Sequence, residues 1–299
     1  MKEKLKLIAA ALLFLLLLPY MITSFFSGNI RKDYAVLTAS KDFISINTDG
    51  KIREISFKDY LCGVVATQIS AEYPLEALKA QMVITRTNLK KQLEDLPGVL
   101  LSENYMTLSE MERRGIMDVM IRAEEETSGQ VLTRKKQLVH LPYHAISGGQ
   151  TRSGKEVLGK TYSWLKAVDS YGDVEAERYL TVEMRKPEEL KLKIETEYPG
   201  QIKEGELISQ LTIMKRDSSD YVTEIKVGTD KIPGEQFRRI LGLSSSCFYL
   251  EQVDKEIRIT TKGLGHGIGL SQFGAGKMAE AGADYIEILR YYFEKCIIG

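Results

Sequence analysis

The sequence predicts an α+β fold: one large mixed domain preceded by an N-terminal transmembrane helix. Three observations carry this. Strand-like and helix-like stretches follow one another without regular alternation, which argues against a doubly wound parallel sheet. A run rich in glycine, Gly263-Leu264-Gly265-His266-Gly267-Ile268-Gly269-Leu270-Ser271-Gln272-Phe273-Gly274-Ala275, interrupts the periodic pattern near the C-terminus. The N-terminus, beyond Lys2, Lys4 and Lys6, is an apolar stretch from Leu7 to Phe26.

That stretch matches the roughly 20 apolar residues needed to span a bilayer and exceeds a signal-peptide core. No small-residue cleavage site follows it. Its basic flank stays inside, so residues 1–27 read as an uncleaved signal anchor with the remainder on the extracytoplasmic side. Residues 28–56 read as a tether and first strands: Tyr34–Thr38, Asp42–Asn47 and, after the Asp49-Gly50 turn, Lys51–Ile55. The main domain is expected over 57–299.

Ser56 and Asp59 approximate a capping box ahead of a helix on which Leu61, Val64, Val65 and Gln68 share the core-facing side. Pro74 opens a second helix, with Leu75, Leu78, Met82, Thr85 and Leu89 inward and Lys79, Arg86 and Lys90 toward solvent. Residues 92–122 read as a variable excursion, with a helix from Thr107 to Glu126. Strands are expected at Val131–Leu132 and Leu138–Tyr143, the latter leading into the loop His144–Thr151. Residues 180–210 are charged and read as a helical, peripheral excursion. Strands near Leu211–Met214, Tyr221–Val227 and Ile257–Thr260 flank a helix at Gly234–Leu241. Helices at Lys277–Ala281 and Tyr285–Phe293 close the chain.

The 299 residues carry 41 acidic and 41 basic side chains, so no global field recruits nucleic acid. Cys62, Cys247 and Cys296 are odd in number and widely spaced, as buried small hydrophobes are and a disulfide framework is not. The glycine run lacks the βαβ context and downstream acid of a dinucleotide site. Ser147 stands in Ala-Ile-Ser-Gly-Gly, not in a nucleophile elbow, which argues against a serine hydrolase. His140 and His144 fall on a strand-like run without a nearby cysteine, so neither metal nor cofactor is expected. Carbohydrate remains. Hydroxyls, amides and backbone groups at Ser147, Gly148, Gly149, Gln150, His266, Ser271 and Gln272 supply a donor and acceptor inventory that suits it, although each alone is more often structural.

Together with Tyr60-Leu61-Cys62-Gly63-Val64-Val65-Ala66 and His144-Ala145-Ile146-Ser147-Gly148-Gly149-Gln150-Thr151, the glycine run resembles the stage II sporulation protein D family, whose domain amidase enhancers share. The resemblance implies a central glycan-binding groove and handling of peptide-free peptidoglycan glycan strands during engulfment of the forespore, with a cell-wall amidase as partner. It adds His144 and Gly267 to the groove residues. Family members that cut the strand resemble lytic transglycosylases whose acid is a glutamate in Gly-Val-Val-Ala-x-Glu-Met. Here the stretch is Gly63-Val64-Val65-Ala66-Thr67-Gln68-Ile69, so Gln68 holds the acid's position. Arg152 likewise stands where the family often carries an acid after Ser-Gly-Gly-x-Thr. An amide supplies no proton. Two readings stay open: a glycan-binding helper of an amidase, or an active transglycosylase that uses Glu72 or another acid.

Overall fold

The computed structural model describes residues 43–48, 50–101 and 104–299. The expected membrane anchor over 1–27 and the strand at Tyr34–Thr38 lie outside the described residues. No helix among those described is long and apolar enough to cross a membrane. The architecture is mixed α+β, with nine helices and several small sheets among the described residues. The chain divides into two compact units. Among the described residues, one holds 43–48 and 50–60 with Leu100 and Leu101; the other holds Leu61–Val99 with Asn104–Gly299.

In the first unit, β1 (Phe43–Thr48) and β2 (Lys51–Ser56) form an antiparallel hairpin about the expected turn, and Ile46 bridges to Leu101. Helix α1 (Phe57–Gln68) follows, ending at Gln68. Helix α2 (Leu75–Asp95) starts behind Pro74, as expected. Its solvent face was misjudged. Lys79 and Arg86 are buried, as is every position from Ala77 to Thr87. Arg86 is tolerated because Nη2 pairs with Glu124 at 3.2 Å and Nη1 donates to the Thr127 and Gln130 carbonyls at 2.7 and 3.1 Å. Lys79 pairs with Glu76 and Glu126.

The single helix expected from Thr107 to Glu126 is two, α3 (Leu108–Arg113) and α4 (Met117–Glu125), because Gly115 turns left-handed between them. Strands β3 (Leu132–Arg134) and β4 (Gln137–Leu138) make a tight hairpin. The strand expected through Leu138–Tyr143 is reduced to Leu138 and a short β5 (Tyr143–His144). After a one-turn α5 (Gly154–Val157), the 180–210 segment departs from its all-helical expectation. Leu180–Arg185 is strand β6, alternately exposed and half-buried, and helix is confined to Pro187–Glu197 (α6) and a 3-10 turn at Ile208–Gln210.

Two antiparallel sheets follow. One is β7 (Leu211–Arg216), β8 (Val222–Val227) and β9 (Asp230–Pro233); the other is β10 (Phe248–Val253), β11 (Glu256–Lys262) and β6, in that order. Helix α7 (Gly234–Leu241) occupies the expected residues. With α6 it covers a core that includes Ile225, Phe237, Phe248 and Ile257. The two-residue β12 (Leu270–Ser271) runs directly into α8 (Gln272–Glu280), then α9 (Tyr285–Tyr292) and β13 (Ile297–Ile298). Helices α8 and α9 close a second core around α2, formed by Val83, Ile84, Leu270, Ile288 and Leu289 among others. All three cysteines are buried and none is in a disulfide.

The buried Arg86 is a testable strut. Arg86→Ala removes the guanidinium that neutralises Glu124 and satisfies two carbonyls. We expect about 3 kcal/mol or more of lost stability in denaturant unfolding, against well under 1 kcal/mol for the exposed Arg113→Ala.

Candidate functional site

Two segments far apart in sequence build the centre. Strands β5 and β12 pair in parallel, Tyr143 with Leu270 and His144 with Ser271, and Ile146 exchanges backbone bonds with Leu264. The glycine run lies against the His144–Thr151 loop. Gly267 and Gly269 have φ of +75° and +76°, where a side chain is strained. A Cβ on Gly267 would fall 2.5 Å from the Tyr221 ring, and one on Gly269 would fall 1.9 Å from the Pro142 carbonyl oxygen. At these two positions the glycines admit the protein's own chain.

The loop's polar groups face inward too. The Ser147 amide donates to Asp173 Oδ2 at 2.8 Å, the Gly148 amide to Tyr221 Oη at 2.8 Å and the Gly149 amide to Ser147 Oγ at 3.1 Å. Gln150 donates to Asp169 and accepts from Ser219. Ser271 Oγ donates to Asp173 Oδ1 at 2.8 Å and accepts the Gly274 amide, capping α8. Asp173 is fully buried, and that burial raises its carboxyl above the usual range, opposed by bonds from Ser147 and Ser271. Sequence reasoning missed Asp173. Nothing in Tyr171-Gly172-Asp173 separates it from the neighbouring surface acids.

Arg152 is also buried. Nε binds Asp217 at 2.6 Å, Nη1 reaches Glu235 at 2.9 Å and the His266 carbonyl at 3.2 Å, and the guanidinium lies over the Tyr221 ring. The inverted charge is therefore neutralised inside the fold.

The two site histidines meet, with ring centroids 5.7 Å apart. His144 Nδ1 lies 3.1 Å from the Ile268 carbonyl, so Nδ1 carries the proton and the buried Nε2 has no protein partner. Burial first, and the neighbouring His266 next, push His144 down to about 3. His266 Nδ1 accepts the Ile268 amide at 3.0 Å, and burial lowers this ring as well. Among the described residues no group of three or more His, Cys, Asp or Glu side chains is placed to hold a metal ion.

Gln68 belongs to a separate, uncharged network. Its Oε1 accepts from Thr85 Oγ1 at 2.7 Å and from Gln81 Nε2 at 3.1 Å. Gln272 Nε2 donates to the Gln68 carbonyl at 2.9 Å and to Gln81 Oε1 at 3.2 Å. Two donors fill both lone pairs of Gln68 Oε1, so the half-buried side chain meets a ligand only as a donor through Nε2. A carboxylate of the same shape would keep both bonds with one oxygen and present the other. Glu72 lies on the exposed turn that follows, where its backbone amide reaches Ser70 Oγ.

Two predictions follow from this geometry. Gly267→Ala pairs left-handed strain with a clash against Tyr221 and should cost about 3 kcal/mol. Gly282→Ala has a similar φ but open space, and should cost about 1 kcal/mol in the same melts. The second concerns pH. A base whose folded pKa lies below its unfolded value takes up its proton on unfolding, so His144 destabilises the fold as pH falls from 6.5 toward about 3. His144→Asn retains a donor toward Ile268 and should flatten this acid limb. Between about pH 6 and pH 4 the natural protein should lose up to about 1.4 kcal/mol per pH unit more than the variant.

The SpoIID family model, described as stage II sporulation protein, matches residues 46–134. Stage II sporulation protein D of Bacillus amyloliquefaciens is 27% identical over 260 residues, covering 81% of this chain and 74% of the relative. Its namesake in Bacillus subtilis (strain 168) is 26% identical over 264 residues, with the same coverage. The Amidase enhancer of Bacillus subtilis is 25% identical over 283 residues, covering 78% of this chain and 39% of the enhancer.

Proposed function

Because the chain belongs to the SpoIID family of stage II sporulation proteins, we propose that it is a cell-wall protein of sporulation. In this reading it grips peptide-free peptidoglycan glycan strands and assists a wall amidase without cutting the strand. The observation that carries the reading is Gln68 Oε1, held inward by Thr85 and Gln81. General acid catalysis needs a proton that leaves and returns near neutral pH, and an amide has none. What Gln68 retains is the Nε2 donor, suited to a sugar hydroxyl or N-acetyl carbonyl.

The half-buried members of the site, Gln68, Gly148, Gly149, Gln150 and His266, are the ones that touch the strand in this proposal. His144, Ser147, Gly267, Ser271 and Gln272 are buried and hold the shape. The amidase role follows the relative named Amidase enhancer. The apolar segment Leu7–Phe26 would tether the domain on the extracytoplasmic side of the cell membrane.

The test uses the full chain on peptide-free glycan strands, with mass spectrometry for anhydro-muramic ends. We expect strand binding without such ends, and Gln68→Glu should raise cleavage by about 10²–10⁴-fold. Anhydro products from the natural sequence that vanish in Glu72→Gln would establish the active alternative instead.

A further inference from the structure

Two clefts flank the α9 tyrosines and share Tyr291 and Tyr292. The first, about 350 Å³, is lined by Tyr171, Tyr291, Met278 and Lys277, with Asp169 also contributing. The second, about 220 Å³, brings Trp164, Lys166, Arg290 and Glu294 against the same tyrosine pair. Tyr171 is 72% exposed and Tyr291 42%. Rings left this open beside concave surface mark a recognition site more often than a packing one.

Three rings of the aromatic wall are anchored. Tyr291 Oη donates to the Asp169 carbonyl at 2.7 Å, and its ring meets Tyr292 edge-on with centroids 5.3 Å apart. Tyr292 Oη lies 3.0 Å from Ser170 Oγ, three residues before the buried Asp173. Trp164 is stacked on Tyr162 beneath the Arg134 guanidinium. Binding therefore orders little that is not already ordered.

We propose that these adjoining clefts are a second glycan subsite that takes neighbouring N-acetylated sugar rings of one strand, a proposal that rests on the glycan-binding reading above. A pyranose presents a face of C–H groups and a rim of hydroxyls. The open rings of Tyr171 and Tyr291 cover the first, with the buried Trp164 and Tyr292 behind them, and Asp169, Lys166, Arg290 and Glu294 address the second. The charges are mixed in sign, and Lys277 is engaged by Glu175 and Glu280, so the clefts do not suit a polyanion. Their walls are helices and loops without a strand edge, so an extended peptide finds no ladder to join.

Trp164 is the sole tryptophan of the chain, so its emission reports directly on the second cleft. The full chain is titrated with N-acetylglucosamine oligomers of increasing length. A saturable change in emission with the tetramer, much weaker with the monosaccharide, supports the subsite. Tyr171→Ala should raise Kd about tenfold while leaving the thermal midpoint unchanged, and Tyr171→Phe should bind as the natural protein does. Strand binding that leaves Trp164 emission unmoved and is indifferent to Tyr171→Ala would remove the clefts from the site and spare the glycan-binding reading. Failure of the chain to retain peptide-free strands at all would sink both.

Discussion

The carboxylate of Asp173 is the point on which the centre of this molecule depends. It is withdrawn from water, yet it accepts the Ser147 amide and the Ser271 hydroxyl, joining the loop after β5 to the start of α8. A buried carboxylate is costly to desolvate, and hydrogen bonds from both sides offset that cost. Ser271 in turn caps α8, which presents Gln272 to Gln68 and Gln81. The position of the Gln68 network thus traces back to one buried acid.

A second, charged scaffold stands beside it. Arg152 binds Asp217 and Glu235 while its backbone amide donates to the Gly267 carbonyl. Arg152 and Asp217 pair out of solvent while Glu235 stays part-exposed, and the guanidinium's planar fork lets one side chain reach three partners. The Gln68, Gln81, Thr85 and Gln272 network contrasts with this arrangement in having no ionisable member. The interior of this protein uses charge to hold loops in place and neutral amides around Gln68.

Much of this was legible in the residues, and the failures have physical causes. Helix α7 falls on the residues expected for it, and β7 and β8 overlap the strands expected near Leu211–Met214 and Tyr221–Val227. The family's motifs led to Gln68 and to the two loops, although their polar groups turned out to satisfy one another. Lys79 and Arg86 were read as solvent-facing because local periodicity does not show the acids and carbonyls that meet them from α4 and the turn after it. Strand β6 was hidden because Leu180-Thr181-Val182-Glu183-Met184-Arg185 resembles its charged surroundings until β11 pairs with it. Asp173 was invisible for the same reason: its role is created entirely by tertiary contact.

The separation along the chain of the segments that meet here has a kinetic side. His144 waits for Ile268, 124 residues away, and Asp173 waits for Ser271, 98 residues away. Contacts of such long range bear a large loop-closure cost and form late. A chain emerging N-terminus first would already hold α2 and the loop after β5 while the segment that covers Leu141 and Ile146 is still missing. During that interval apolar side chains and an unmatched acid are open to the wrong partner, so the speed with which the final helices arrive bears on the yield of folded protein.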